Sequence, residues 1–296
     1  MATLYTEQDK NIHKTWALLL GFLVVVIGLG WVLAQVWQSP AVLYAAIIFA
    51  LMMNFASYWW SDKIVLKLTG ARPASRDRDW GLITTVENLA ITAGLPMPKV
   101  YVVDDPAPNA FATGRDPEHA VVAVTSGLLT ILENEELEGV IGHELSHIGN
   151  RDILLSTVVV VLVGFVAILS DIFLRSMIWG GRDRDSRAGG ALVLIGIVLA
   201  VLSPLIGTLI QLAISRRREF LADASGALLT RYPEGLARAL EKISAQNMPL
   251  RRASNATAHL FIVNPFGAAG LKGIHKLFLT HPPVEERLRA LRGLKI

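Results

Sequence analysis

Residues 134–152 read NEELEGVIGHELSHIGNRD, and the meaning of this stretch decides how the rest of the chain is read. His143, Glu144 and His147 stand as H-E-x-x-H. On a helix, residues four apart share one face, so both imidazoles can reach a single tetrahedral ion. The Glu beside the first His then lies near the ion's bound water, where it can act as a general base. The flanks predict a helix. Asn134 suits the N-cap, and Glu135 and Glu136 fall in the first turn, where the helix dipole favours acids. Leu137, Val140, Ile141, Leu145 and Ile148 recur at three- and four-residue spacing as a buried stripe, with both histidines on its flank. Gly149 ends the helix, and Asn150 or Asp152 caps the next. The plain alternative is a pair of helix histidines beside a core.

The chain of 296 residues has no cysteine, which removes disulfides, iron–sulfur clusters and thiolate zinc sites. Any metal must be held by His, Asp and Glu. The extended H-E-x-x-H-x-x-G-x-x-H form is absent, because Asn150 and Ile153 occupy its last two fixed positions. His259, His275 and His281 lie in polar sequence without partner spacing. Glu219, in the helical stretch REFLAD at residues 218–223, is the better third ligand. Asp223 follows one turn later on the same face, placed to accept a hydrogen bond from a ligating imidazole's free N–H. The alternative for Glu219 is a surface carboxylate balancing Arg216, Arg217 and Arg218.

Working outward, hydrophobic residues make up 52% of the chain and charged residues only 18%, against about 25% charge in a soluble domain. The excess sits in four nearly uncharged blocks, at residues 15–37, 41–60, 153–170 and 190–214. Roughly 20 apolar residues span a bilayer core as helix, so each block is a membrane-span candidate; the alternative is helices buried in a large soluble core. The first block is too long for a signal-peptide core and lacks an A-x-A site, so it reads as a retained span. The expected organisation is a tail and two spans over 1–60, a first catalytic part over 61–152, a transmembrane hairpin over 153–214, and a second catalytic part over 215–296. If Glu219 joins His143 and His147 at one ion, the third and fourth blocks must return the chain to its starting side, and two crossings do so.

The net charge of +3 fits cationic flanks of membrane spans rather than nucleic-acid binding. Lys10, Lys14, Lys63, Lys67, Arg72, Arg76 and Arg216–Arg218 lie beside the spans on what is then the cytoplasmic side. The loop RDRDSR at 182–187 carries three arginines on the other side and argues against this, but is outweighed. The runs KVYVV (99–103) and AVVAVT (120–125) predict strands, with NAFATG (109–114) as an edge beside a cleft. Residues 79–93, 233–246 and 284–292 predict helices. The fold expected is mostly α with a small β-sheet, a zincin-like domain combined with about four membrane helices.

With these motifs in order, the chain resembles the HtpX-type integral-membrane zinc metalloproteases, relatives of the CaaX prenyl proteases. The resemblance rests on two N-terminal spans, GLPMPKVYVVDDPAPNAFATG (94–114), HELSHIGNRD (143–152), RREFLADASGA (217–227) and HPPVEERLRAL (281–291), and covers nearly the whole chain. It implies a gluzincin-type site with one zinc ion held by His143, His147 and Glu219, and Glu144 as catalytic base. It also implies a bacterial inner-membrane location, a cytoplasmic active site, and cleavage of damaged or misfolded membrane proteins. Asn109, Ala110, Phe111 and Ala112 would then present main-chain groups to an extended substrate. His281 either enters the cleft to stabilise the oxyanion or is a plain loop residue. Two other readings of the chain are a membrane transporter using HELSH as its transport site and an inactive adaptor binding unfolded segments. Against the first, His143 and Glu144 lie outside all four apolar blocks. No feature sets an oligomeric state.

Overall fold

The structure is a computed structural model, which describes residues 4–36, 38–179, 196, 216–254, 256–267 and 282–294. His281, the loop 182–187 and all of the fourth apolar block except residue 196 lie outside the described residues.

Two long helices open the chain, α1 (Leu4–Val36) and α2 (Pro40–Trp59). Both are long and apolar enough to cross a membrane, α1 over Gln8–Gln35. A short helix α3 (Ser61–Thr69) and strand β1 (Ala71–Pro73) lead into α4 (Trp80–Ala93), which ends at Gly94 in the left-handed conformation (φ 64°). Strands β2 (Lys99–Val103), β3 (Ala110–Thr113) and β4 (Val121–Thr125) follow. After α5 (Ser126–Ile131) comes α6 (Asn134–Gly149), then α7 (Asp152–Trp179). The chain resumes with α8 (Arg216–Thr230), α9 (Pro233–Gln246) and α10 (Val284–Arg292).

The four strands form a mixed sheet in the order β1-β2-β4-β3. β2 and β4 run parallel, with Tyr101 opposite Ala123, while β1 and β3 pair antiparallel to them at the two edges. The strands expected at 99–103, 109–114 and 120–125 and the helices expected at 79–93, 233–246 and 284–292 are present, within a residue or two at their ends.

Both faces of the sheet are covered, which explains why β4 reads as an unbroken apolar run rather than an alternating one. Val102, Ala110, Ala112, Val122 and Val124 join one core, shared with Leu82, Val86, Val140, Ile141, Leu145, Leu236 and Leu240 of α4, α6 and α9. Val103, Phe111 and Ala123 point the other way, into a second core with Leu18 and Phe22 of α1 and Leu155, Val158, Val159 and Leu162 of α7. The apolar helices therefore pack directly on the back of the sheet whose front carries α6.

The start of α6 differs by one residue from the sequence expectation. Glu133, not Asn134, is the N-cap, in a capping box whose other half is the bond from the Glu133 amide to Glu136 Oε2 at 2.9 Å. Two acids satisfy two orphan amides where Asn134 would have satisfied one. Arg151, with φ 55°, turns the chain between α6 and α7, whose axes meet at 86°.

Candidate metal centre

α6 and α8 cross backbone to backbone. A Cβ built on Gly226 would lie 2.7 Å from the His143 amide nitrogen, and one on Gly142 would lie 3.2 Å from Gly226 O. Only glycine allows so close an approach, which brings Glu219 and Asp223, one turn apart on α8, against the histidine-bearing face of α6.

The ligand atoms of His143, His147 and Glu219 lie within 4.8 Å of one another. The two histidine Nε2 atoms are 3.2 Å apart, and each lies 3.8 Å from a Glu219 carboxylate oxygen. Tetrahedral zinc, with bonds of about 2.0–2.1 Å, places its ligand atoms about 3.3 Å apart.

The outer faces of the two imidazoles determine what these atoms can do. His143 Nδ1–H donates to Asp223 Oδ1 at 2.9 Å, and His147 Nδ1–H donates to Asp152 Oδ2 at 3.0 Å. With both Nδ1 protons committed to carboxylates, both Nε2 lone pairs face each other and Glu219 across one small space. Two imidazole nitrogens and a carboxylate thus converge on one point. The donor set fits a divalent cation.

Burial and neighbouring charges shift the ionisation of these residues. Burial pulls His143 down to about 4, although its bond to Asp223 opposes this. Burial also acts to lower His147, but the Asp152 hydrogen bond and the Glu219, Asp152 and Glu144 charges overcome it and lift His147 to about 9. Burial lifts the Glu144 carboxyl to about 7; nearby Glu219 adds to the rise, while His147, Arg287 and the Ala112 amide oppose it.

Two residues at the centre were not singled out from the sequence. Asp152, read there only as a cap, accepts from His147. Arg287 on α10 is fully buried and grips Asp223 with both arms of its guanidinium, Nε to Oδ2 at 2.8 Å and Nη2 to Oδ1 at 2.6 Å. Its Nη1 donates to Ile262 O at 3.0 Å. Burial alone would lower the Arg287 pKa, but the Asp223 carboxylate more than reverses it. The available signal was the arginine's place in HPPVEERLRAL, on the buried stripe of a charged helix.

β3 runs beside this centre as an edge strand. The Ala112 amide faces Glu144, and Phe111 on the opposite face meets Phe261 edge-on at 5.2 Å. The outward edge is already engaged at its start. Ile262 N donates to Ala110 O at 3.0 Å, and the Asn109 side chain donates to Val263 O at 2.9 Å. His259 Nε2 lies 2.9 Å from Ser156 O and takes no part in the cluster.

Comparison with known proteins agrees with this arrangement. Residues 77–295 match the profile of peptidase family M48. A "Protease HtpX homolog" from Caldanaerobacter subterraneus subsp. tengcongensis is 47% identical, covering 99% of each chain, and one from Thermoanaerobacter pseudethanolicus is 48% identical, covering 99% of this chain and 98% of its own. Among solved structures, S. mikatae Ste24p superposes with a TM-score of 0.51 at 18% identity, covering 97% of this chain and 67% of that one, a likeness of fold. The chain belongs to peptidase family M48, among its HtpX-type membrane metalloproteases.

Proposed function

We propose that the chain is a zinc-dependent endopeptidase of the bacterial inner membrane that hydrolyses damaged or misfolded membrane proteins on the cytoplasmic side. The convergence of His143 Nε2, His147 Nε2 and Glu219 on one point, with buried Glu144 beside it, carries the reading. Zinc held by these three ligands would polarise the scissile carbonyl and acidify a water molecule.

Glu144 takes the water's proton and returns it to the leaving amine. Burial raises the Glu144 carboxyl above the usual carboxylate range, which favours its holding the proton between the two transfers. Asp223 and Asp152 fix the tautomer and orientation of His143 and His147, and Arg287 holds Asp223 in place. Because Ile262 already holds Ala110 O, it is the later part of the Asn109–Ala112 edge, around Ala112, that would offer main-chain groups to an extended segment, which selects for unfolded chain more than for sequence. His281, outside the described residues, would stabilise the oxyanion. Polypeptide and the surrounding bilayer are the partners this requires.

Glu144→Gln tests the reading. The purified variant should retain zinc at one per chain and lose cleavage of an unfolded membrane-protein substrate. Cleavage at the parental rate would remove Glu144 from the mechanism.

A further inference from the structure

The first turns of α1, ahead of the uncharged block that begins at residue 15, reach the C-terminal end of α6. Gln8 Nε2 donates to Gly149 O, the last carbonyl of α6, at 2.5 Å. Asn11, one turn further, is 1% exposed. Its Nδ2 donates to Asn150 O at 3.2 Å and to the Oδ1 carboxylate oxygen of Asp152. Its Oδ1 accepts from Arg218 Nη1 at 3.1 Å. The other Asp152 oxygen is the one that holds His147 Nδ1.

Only a carboxamide meets all of these requirements. One end must donate to a buried carboxylate and a carbonyl, while the other accepts from a buried guanidinium. An aspartate would face Asp152 with like charge. A leucine would leave a buried carboxylate and a buried guanidinium each short of a hydrogen bond. The helix itself does not call for the residue, because Asn is a poor former in helix interiors. All three partners of the Asn11 amide lie more than 130 positions away in sequence.

The partners have one property in common. Asp152 supports His147, and Arg218 is the immediate neighbour of Glu219. The two ligands come from different helices, α6 and α8, and Asn11 is bonded to the carboxylate that holds one and to the residue that precedes the other. We infer that Asn11 is a positioning residue of the metal centre, setting His147 and Glu219 relative to each other, so that α1 forms part of the framework of the site as well as a membrane segment. This inference rests on the reading of His143, His147 and Glu219 as metal ligands.

The test uses the full-length protein in detergent, with zinc affinity measured by chelator competition and the ligand field read from the visible absorption of the cobalt(II)-substituted protein. Asn11→Leu and the isosteric Asn11→Asp should each weaken zinc binding by about tenfold and shift the cobalt bands. Asn54→Leu is the control. It removes an α2-to-α1 bond, Asn54 Nδ2 to Leu19 O at 3.1 Å, far from the ligands, and should leave both readouts at parental values. Asn11→Ser, which keeps a small donor and acceptor, carries the measurement if the leucine variant does not fold, with a smaller shift in the same direction. Unchanged affinity and bands in the Asn11 variants, even with a lowered melting temperature, would overturn the inference and leave Asn11 a packing residue. A parental protein that binds no zinc or cobalt would instead overturn the metal-centre reading itself, and this inference with it.

Discussion

Arg287 and Asp223 form a two-pronged ion pair, at 2.8 and 2.6 Å, and the same Asp223 carboxylate accepts the His143 Nδ1 proton at 2.9 Å. The pair is buried, so removing one member strands the other charge. Arg287→Met should cost about 3–5 kcal/mol of stability and release metal more readily. Adding Asp223→Asn to it should cost less than the two single changes summed. Thermal unfolding of the four proteins checks both statements; strict additivity would show that the pair acts as two independent residues.

The α6–α8 crossing makes a sharper demand. Gly226→Ala places a methyl group 2.7 Å from a backbone nitrogen, which cannot rotate away as a side chain would. The helices must separate, at a cost of about 3 kcal/mol, and Glu219 and Asp223 move with α8. Metal content should fall together with the melting temperature. Gly81→Ala, where a Cβ meets nothing within 4 Å, should leave both unchanged.

Away from the centre, Asp79 accepts from Arg72 Nη1 and from the Ser75 amide, each at 2.9 Å. The hydrogen bond to Arg72 holds its carboxyl below the usual carboxylate range. A carboxyl lowered by folding stabilises the protein above its unfolded pKa of about 3.9, and that contribution disappears as pH falls through the lowered value. Asp79→Asn should therefore cost about 1 kcal/mol at pH 7, with the penalty shrinking towards zero as the pH drops below about 4. Denaturant unfolding at the two pH values reads the difference.

Sidedness follows from a single reporter, since the chain has no cysteine. Asp77→Cys, at an exposed position of the catalytic domain, should react with an impermeant maleimide only after the cell membrane is opened. Labelling in intact spheroplasts would place the domain on the opposite face.

Local pattern made the helices and strands legible. The stripe of α6, the β-branched runs of β2 and β4, and the glycine after α4 each decide their own element. Glu219 could be read because one turn of helix ties it to Asp223, and Asp223's use depends on spacing alone. Arg287, Asp152 and Asn11 escaped. Arg287 and Asn11 act through partners far away in sequence, which neither periodicity nor motif spacing encodes, and Asp152 reaches His147 across the corner between α6 and α7, where helical spacing no longer applies. The bend after α6 escaped differently, because it rests on one non-glycine residue, Arg151, in a left-handed conformation that its side chain does not advertise.

That bend has a geometric consequence. Four residues along α6 advance about 6 Å, and if α6 continued straight into α7, His143 and His147 would sit at different depths along the apolar arm. At 86° the same 6 Å runs sideways. Both histidines then stand at one level, within about two turns of the residue where α7 begins. The height of the metal centre along the α7 axis is thus set by the corner at Asn150 and Arg151, and not by the length of any loop.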